Sequence, residues 1–374
     1  MQKSYLPGCI DRRFGDGDRY HLTPPKDIAM RVPDEIRKSV LFIGTTEDQD
    51  NPTWRATGYI VAAPDLMITK THEYPVEKMH GTTSYPFRFL ATARHVAEEL
   101  EGEEFALRVN KRGGGVAIIR GHADTKWWYH PTDKEHVDAA LTMFLPAELE
   151  DLDLFTVHLN LFADEDRISK ENIGAGDEVF IAGLFTKITK TAQNVPIVRI
   201  GNLAMVPGER IPFKDGKLID AYLVESRSIG GLSGSPVFVR QTTKVQALKY
   251  SHQVRNTAGR PTNPDDMVYV DAVGRIYFLG SVIGHWEHPT SFTVAGEPEM
   301  VNMGISPIVP AQKIKEIIMQ PELRDMAKKI VDEMSKRENM GAVNDFAHDE
   351  KKPFTRDDFE AVLRKVSGKK SDQT

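Results

Sequence analysis

Cysteine is almost missing: Cys9 is the only one in 374 residues. A single thiol excludes an internal disulfide framework and any cysteine-rich zinc module, and it fits a reducing compartment, so a cytoplasmic protein is expected. Long apolar runs are missing too. Tyr59 to Ala63 and Val179 to Leu184 reach roughly a third of the ~20 residues that a bilayer span needs, and Met1 to Ile10 has no signal-peptide core. No membrane partner is expected. A basic excess is the third absence. Lys and Arg number 48 against 54 Asp and Glu, a net charge of −6, which removes the electrostatic footprint of nonspecific nucleic-acid binding. What remains is 40% hydrophobic and 27% charged, the composition of a globular chain able to bury a sizeable core.

From Val40 to Ile283 the chain offers many short runs rich in Val, Ile, Leu, Phe and Tyr. They are Val40–Gly44, Tyr59–Ala63, Phe87–Leu90, Ala117–Arg120, Leu141–Leu145, Val179–Gly183, Ile197–Ile200, Tyr222–Val224, Pro236–Val239 and Phe278–Ile283. Gly, Pro, Asp and Asn separate them, as turn chemistry requires, and no regular helix intervenes. That pattern predicts antiparallel sandwiches or barrels rather than a doubly wound α/β fold. The polar stretch Asp164 to Asp177 reads as a linker between two β halves. After Val309 the period turns helical, with Ile314, Ile317, Ile318, Leu323, Ala327, Ile330 and Met334 at three- and four-residue spacings. Around Phe354 to Val366, Thr355 as cap, Asp358 at N3 and a Phe354/Phe359 staple predict a short docking helix behind a polar hinge.

The segment Gly230-Gly231-Leu232-Ser233-Gly234-Ser235-Pro236 lies between two apolar runs. Glycine there permits backbone shapes closed to other residues and lets a substrate carbonyl come close to main-chain N–H groups. The N–H groups of Gly231 and Ser233 would form an oxyanion hole, with Ser233 as nucleophile. A serine hydroxyl is weak at neutral pH, so a base and a group that orients it are required. His95 follows a strand and the small residues Thr92-Ala93, and Asp138 precedes a strand in Val137-Asp138-Ala139-Ala140-Leu141. The order His95, Asp138, Ser233 separates this chain from α/β-hydrolases, whose acid and histidine follow the serine; here, too, Ser235 occupies the last glycine position of their G-x-S-x-G elbow.

With these residues in view, the chain resembles the trypsin-like (chymotrypsin-fold) serine peptidases, particularly bacterial members without disulfides. The resemblance runs from about Val40 to Met319 and rests on TARHV around His95, VDAAL around Asp138 and GGLSGSPVF around Ser233. GDEVFIAG at Gly176–Gly183 looks like the opening strand of a second barrel, and LGSVIGHWE at Leu279–Glu287 like the substrate-binding wall. It implies an all-β core of two antiparallel six-stranded β-barrels with a C-terminal α-helical extension. The expected division is an N-terminal arm at 1–32, a first barrel at 33–165, a second barrel with its closing helix at 166–320 and a helical extension at 321–374. It further implies a Ser-His-Asp triad acting on a protein or peptide through an acyl-enzyme. Gly284, His285 and Trp286 are expected along the cleft. Arg227 falls where the specificity pocket begins, and there it either favours acidic side chains or lies on the surface. Leu232 stands where many secreted members carry an aspartate that pairs with a freed N-terminus, so that route of activation is not expected.

No cofactor and no metal are expected. The HWEH segment lacks metallopeptidase spacing, Gly113-Gly114-Gly115 lacks the ending of a phosphate loop and reads as a hairpin turn, and Asp16-Gly17-Asp18 lacks the ligands of a calcium loop. Trp127-Trp128-Tyr129 reads as core packing or a barrel-side lid ahead of a carbohydrate or peptide subsite. No PDZ-like segment is evident after Met319, which disfavours an HtrA-like protease. Two other functions fit the same residues: a protein-interaction module on a degenerate protease scaffold, recruited through the C-terminal helix, and a serine esterase or acyl-transferase.

Overall fold

A computed structural model describes residues 32–46, 52–73, 80–146, 151–185, 192–226, 232–248, 267–294 and 297–344. Residues 1–31 of the expected N-terminal arm, Cys9 among them, and Arg227, Gly231 and the helix around Phe359 lie outside these ranges.

After a short helix, α1 (Asp34–Arg37), the first half of the chain forms one sheet. Its strands are β1 (Val40–Thr45), β2 (Thr53–Glu73), β3 (His80–Thr92), β4 (Phe105–Asn110), β5 (Val116–Gly121), β6 (Ala140–Met143) and β7 (Thr156–His158), with helix α2 (Arg94–Glu99) after β3. The order is β5-β4-β1-β2-β3-β6, and β7 pairs in parallel with β2. β1 leaves β2 at the Val40/Tyr59 pair, and β7 takes up the same strand from Ile60 to Ala62. β1 and β4 are buried along nearly their whole length; β1 reads as an apolar run, while β4 carries the buried Arg108, which donates to Asn194 Oδ1 at 2.5 Å, and β5 at the sheet's end is intermediate to exposed. Residues 111–115 close the β4–β5 hairpin with Gly114 and Gly115 at positive φ, the turn that the three glycines predicted.

The second half contains β8 (Glu178–Leu184), β9 (Pro196–Met205), the small hairpin β10 (Ile211–Pro212) with β11 (Leu218–Ile219), β12 (Tyr222–Glu225), β13 (Pro236–Leu248), β14 (Met267–Val282), the hairpin β15 (Glu287–Val294) with β16 (Glu297–Asn302), and β17 (Ile305–Pro310). Six of them close a barrel in the order β12-β17-β14-β13-β8-β9. One closed barrel and one seven-stranded sheet therefore stand where two barrels were expected. Among the described residues the sheet's end strands, β5 and β6, do not pair with each other. The mostly antiparallel β architecture is as the turn-separated runs predicted.

Each half has its own core. Leu41, Ile43, Ile60, Leu90, Leu107 and Phe105 fill the first, and Val179, Ile181, Val224, Val237, Leu279 and Ile308 the second. Trp127 joins the first core. An aromatic seam links the halves: Tyr59 of β2 meets Phe278 of β14 at 5.4 Å, Phe162 meets the same ring at 4.7 Å, and the Tyr59 hydroxyl donates to Ser281 at 3.3 Å. The stretch expected as a linker is more than that. Helix α3 (Glu165–Lys170) forms within it because Asp164 caps it, accepting from the N–H of Arg167, and Ile168 packs on the second core.

Helix α4 (Ala311–Met319) buries Ile314, Ile317 and Ile318, and α5 (Pro321–Asn344) buries Leu323, Ala327 and Ile330. The periodicity read from the sequence is thus a packed face. Polar contacts fasten these helices to both halves: Arg324 pairs with Asp65, Glu316 lies 2.6 Å from His130 Nε2, Lys315 pairs with the α3 cap Asp164 at 2.6 Å, and Lys313 lies 4.0 Å from Asp220. No helix among the described residues is long and apolar enough to cross a membrane.

Candidate active site

His95 is the second residue of α2, which starts straight after the extended residue Ala93, and Asp138 lies two residues before β6. The carboxylate grips the histidine twice. Asp138 Oδ1 accepts from the backbone N–H of His95 at 3.0 Å, and Oδ2 lies 2.8 Å from the ring Nδ1. With Nδ1 held there as the N–H donor, Nε2 keeps its lone pair. The Asp138 side chain is only 9% exposed, while His95 is 43% exposed and faces a cleft.

Burial pulls the pKa of His95 down. The hydrogen bond and charge of Asp138, helped by Glu99, overcome that pull and leave it above the ordinary histidine value, with Lys214 opposing. Burial likewise works against an ionised Asp138. The hydrogen bond and charge of His95, then the His95 N–H and Arg94, outweigh it and hold the carboxyl below its usual range. The pair is therefore set to stabilise the imidazolium once Nε2 has taken up a proton, with the carboxylate charged throughout.

Ser233 sits on the turn that leads into β13. Gly234 follows at φ 78°, and a Cβ there would lie 2.4 Å from both the Thr57 carbonyl oxygen and Thr92 Oγ1, so glycine is required twice over, for conformation and for space. Beneath the turn, a Cβ on Gly183 would strike Leu232 at 2.1 Å and Ser235 Oγ at 2.7 Å. The turn is fixed by bonds from Gly234 N–H to Val282 C=O at 2.9 Å and from Thr57 N–H to Ser233 C=O at 3.2 Å. Thr57, in β2, is a junction: its carbonyl also accepts from Thr92 Oγ1 at 3.0 Å, three residues before His95, and its hydroxyl accepts from the N–H of Leu184 at 3.2 Å.

His95, Asp138 and Ser233 line one cleft of about 260 Å³, together with Phe213, Lys214 and Ile283. The Ser233 hydroxyl donates to the Ile283 carbonyl at 3.3 Å, and among the described residues no hydrogen bond joins it to His95. A second, smaller cavity of about 130 Å³ lies between Ile43, Arg55, Glu99 and Leu100, and His95 and Ser233 border it too. The two side chains thus stand where two concavities meet.

Gly284 and His285 line the larger cleft, and His285 Nε2 lies 2.8 Å from Glu287. Trp286 stands one ring back, edge-on to Phe213 at 5.0 Å. Sequence reasoning missed Phe213 and Lys214 because the two-residue strands of the β10–β11 hairpin carry no periodicity. It missed Arg94 as well, although that residue adjoins His95 and its Nε lies 4.0 Å from Asp138.

No family model and no curated protein matches the chain. Among solved structures, it is similar to Deg5, with a TM-score of 0.33 and 16% identity over 56% of this chain and 82% of that one.

Proposed function

We propose that this protein is a serine hydrolase of the chymotrypsin-like type that cleaves peptide bonds, with Ser233 as nucleophile, His95 as general base and Asp138 as the residue that orients it. The two-point hold of Asp138 on His95, beside Ser233 in one cleft, carries the proposal. Serine beside a neutral, oriented imidazole is what acyl transfer needs, and no metal or redox group enters the chemistry.

In the reaction the Ser233 hydroxyl turns from the Ile283 carbonyl toward His95 Nε2. Its oxygen bonds to the substrate carbonyl carbon as its proton passes to Nε2, and Asp138 stabilises the resulting imidazolium. The N–H groups of Ser233 and Gly231 are assigned to the oxyanion. Breakage of the C–N bond takes the proton from Nε2 to the leaving amine. Water, deprotonated by the same nitrogen, then bonds to the acyl carbon, and the ester bond to Ser233 breaks as that proton returns to Oγ. The larger cleft takes the substrate on one side of the scissile bond and the smaller cavity on the other.

A fluorophosphonate probe tests this directly. The wild type is expected to label at Ser233 and to cut a peptide library, and Ser233→Ala to do neither while keeping its fold. Equal labelling of the two proteins would overturn the proposal and leave a binding module on a protease-like scaffold. Turnover of esters with none of peptides would move the activity to the esterase class.

A further inference from the structure

The β10–β11 hairpin forms part of the cleft wall, yet the hydrolytic steps do not use it. Its turn presents Phe213 and Lys214 to the cleft and is fastened in several places. The Phe213 N–H donates to Lys217 C=O at 2.8 Å and the Gly216 N–H to Phe213 C=O at 2.9 Å. At the base, Arg210 pairs with Asp133 and, at 3.4 Å, with Asp220, whose backbone N–H donates to His136 C=O at 3.0 Å. The hairpin is thus tied to the segment that carries Asp138, and through Phe213 to Trp286.

Most charges on this wall are matched. Glu135 faces Lys217 at 3.5 Å, Arg94 faces Glu98 at 3.5 Å and Asp138 at 4.0 Å, and His285 faces Glu287. Lys214 differs. Its ammonium lies 5.6 Å from the Phe213 ring centroid and close enough to His95 for its charge to oppose protonation there, and no acidic side chain among the described residues pairs with it. Phe213, Ile219 and Ile283 supply apolar surface around it. The smaller cavity, by contrast, carries one charge of each sign, Arg55 and Glu99.

We infer that Lys214 is a specificity residue that selects peptides carrying a carboxylate side chain in the larger cleft, within a few residues of the scissile bond. The inference rests on the hydrolase proposal. An exposed ammonium on a fastened hairpin, facing a partly apolar cleft, gains an ion pair when glutamate or aspartate binds and gains nothing from glutamine, so discrimination is electrostatic and weakens with salt.

The test uses peptide sets identical except for Glu or Gln at each position flanking the cut, read as the Glu-to-Gln ratio of kcat/KM. At low ionic strength the wild type is expected to favour Glu roughly threefold at one position in the larger cleft. Lys214→Gln brings that ratio close to one, Lys214→Glu inverts it, and Lys214→Arg preserves it. Fluorophosphonate labelling of Ser233 is run on every variant. Full labelling with the same Glu-to-Gln ratio in wild type and Lys214→Glu overturns the role of Lys214 and leaves the hydrolase proposal standing. A wild type that neither labels nor cleaves overturns both.

Discussion

Replacing Asp138 by asparagine keeps the size of the side chain and changes what one atom offers. In the native pair, Oδ1 accepts from the His95 N–H at 3.0 Å and Oδ2 faces Nδ1 at 2.8 Å. An asparagine that keeps its oxygen on the backbone N–H points its NH₂ at Nδ1, two donors head to head. The ring relieves this by moving its proton to Nε2, which leaves no lone pair toward Ser233. Rotating the amide relocates the conflict to the backbone N–H of His95. Either way the base is in the wrong tautomer, and for serine hydrolases that loss is on the order of 10⁴ in rate, about 5 kcal/mol of barrier at ~1.4 kcal/mol per tenfold. The assay is the second-order rate of fluorophosphonate labelling at mildly alkaline pH, with circular dichroism as the check on folding. A folded Asp138→Asn variant that labels at close to the wild-type rate would refute the role given to the carboxylate.

Three further outcomes are expected, two from the His95–Asp138 pair and one from the Ser233 turn. Because the pKa of His95 lies above the ordinary value of about 6.5, labelling is expected to rise with pH through an inflection above that value, and Asp138→Asn to move the inflection down. The sign for stability is the reverse: the protonated His95–Asp138 pair contributes fully below the ordinary histidine pKa, and that contribution is lost as pH rises through the raised one, which denaturant titrations across this window will show. An inflection at or below 6.5 contradicts the assignment. Gly234→Ala puts a methyl group 2.4 Å from two oxygens at φ 78° and is expected to lower unfolding free energy by at least ~2 kcal/mol, read by denaturant titration, with loss of labelling. Wild-type stability and reactivity in that variant would show that the turn has another shape.

The sequence announced strands where burial makes them apolar and stayed silent where other forces hold them. Val40–Gly44 and Val179–Gly183 were plain because both lie in a core. β17, Ile305–Pro310, carries two prolines and so loses the strand signature, yet it closes the barrel between β12 and β14. Closure of a sheet is set by pairing between distant strands, and a run of valines reads the same in an open sheet as in a barrel. By its charge the Asp164–Asp177 stretch reads as a linker, although its first residue is a helix cap. In the site, His95, Asp138 and Ser233 were visible because each needs small neighbours in fixed local order. Lys214 was not, since its position depends on how Arg210 and Phe213 fasten a short hairpin across the molecule.

Thr57 decides how the reacting groups keep their spacing. If the barrel slid against the sheet, Ser233 would travel with one body and His95 with the other. Both the main chain of Ser233 and the strand end leading to His95 are clamped to the same residue, one to its N–H and the other to its C=O, so such sliding is expected to shift the two groups as a pair, much as two tools bolted to one bench hold their gap when the floor moves.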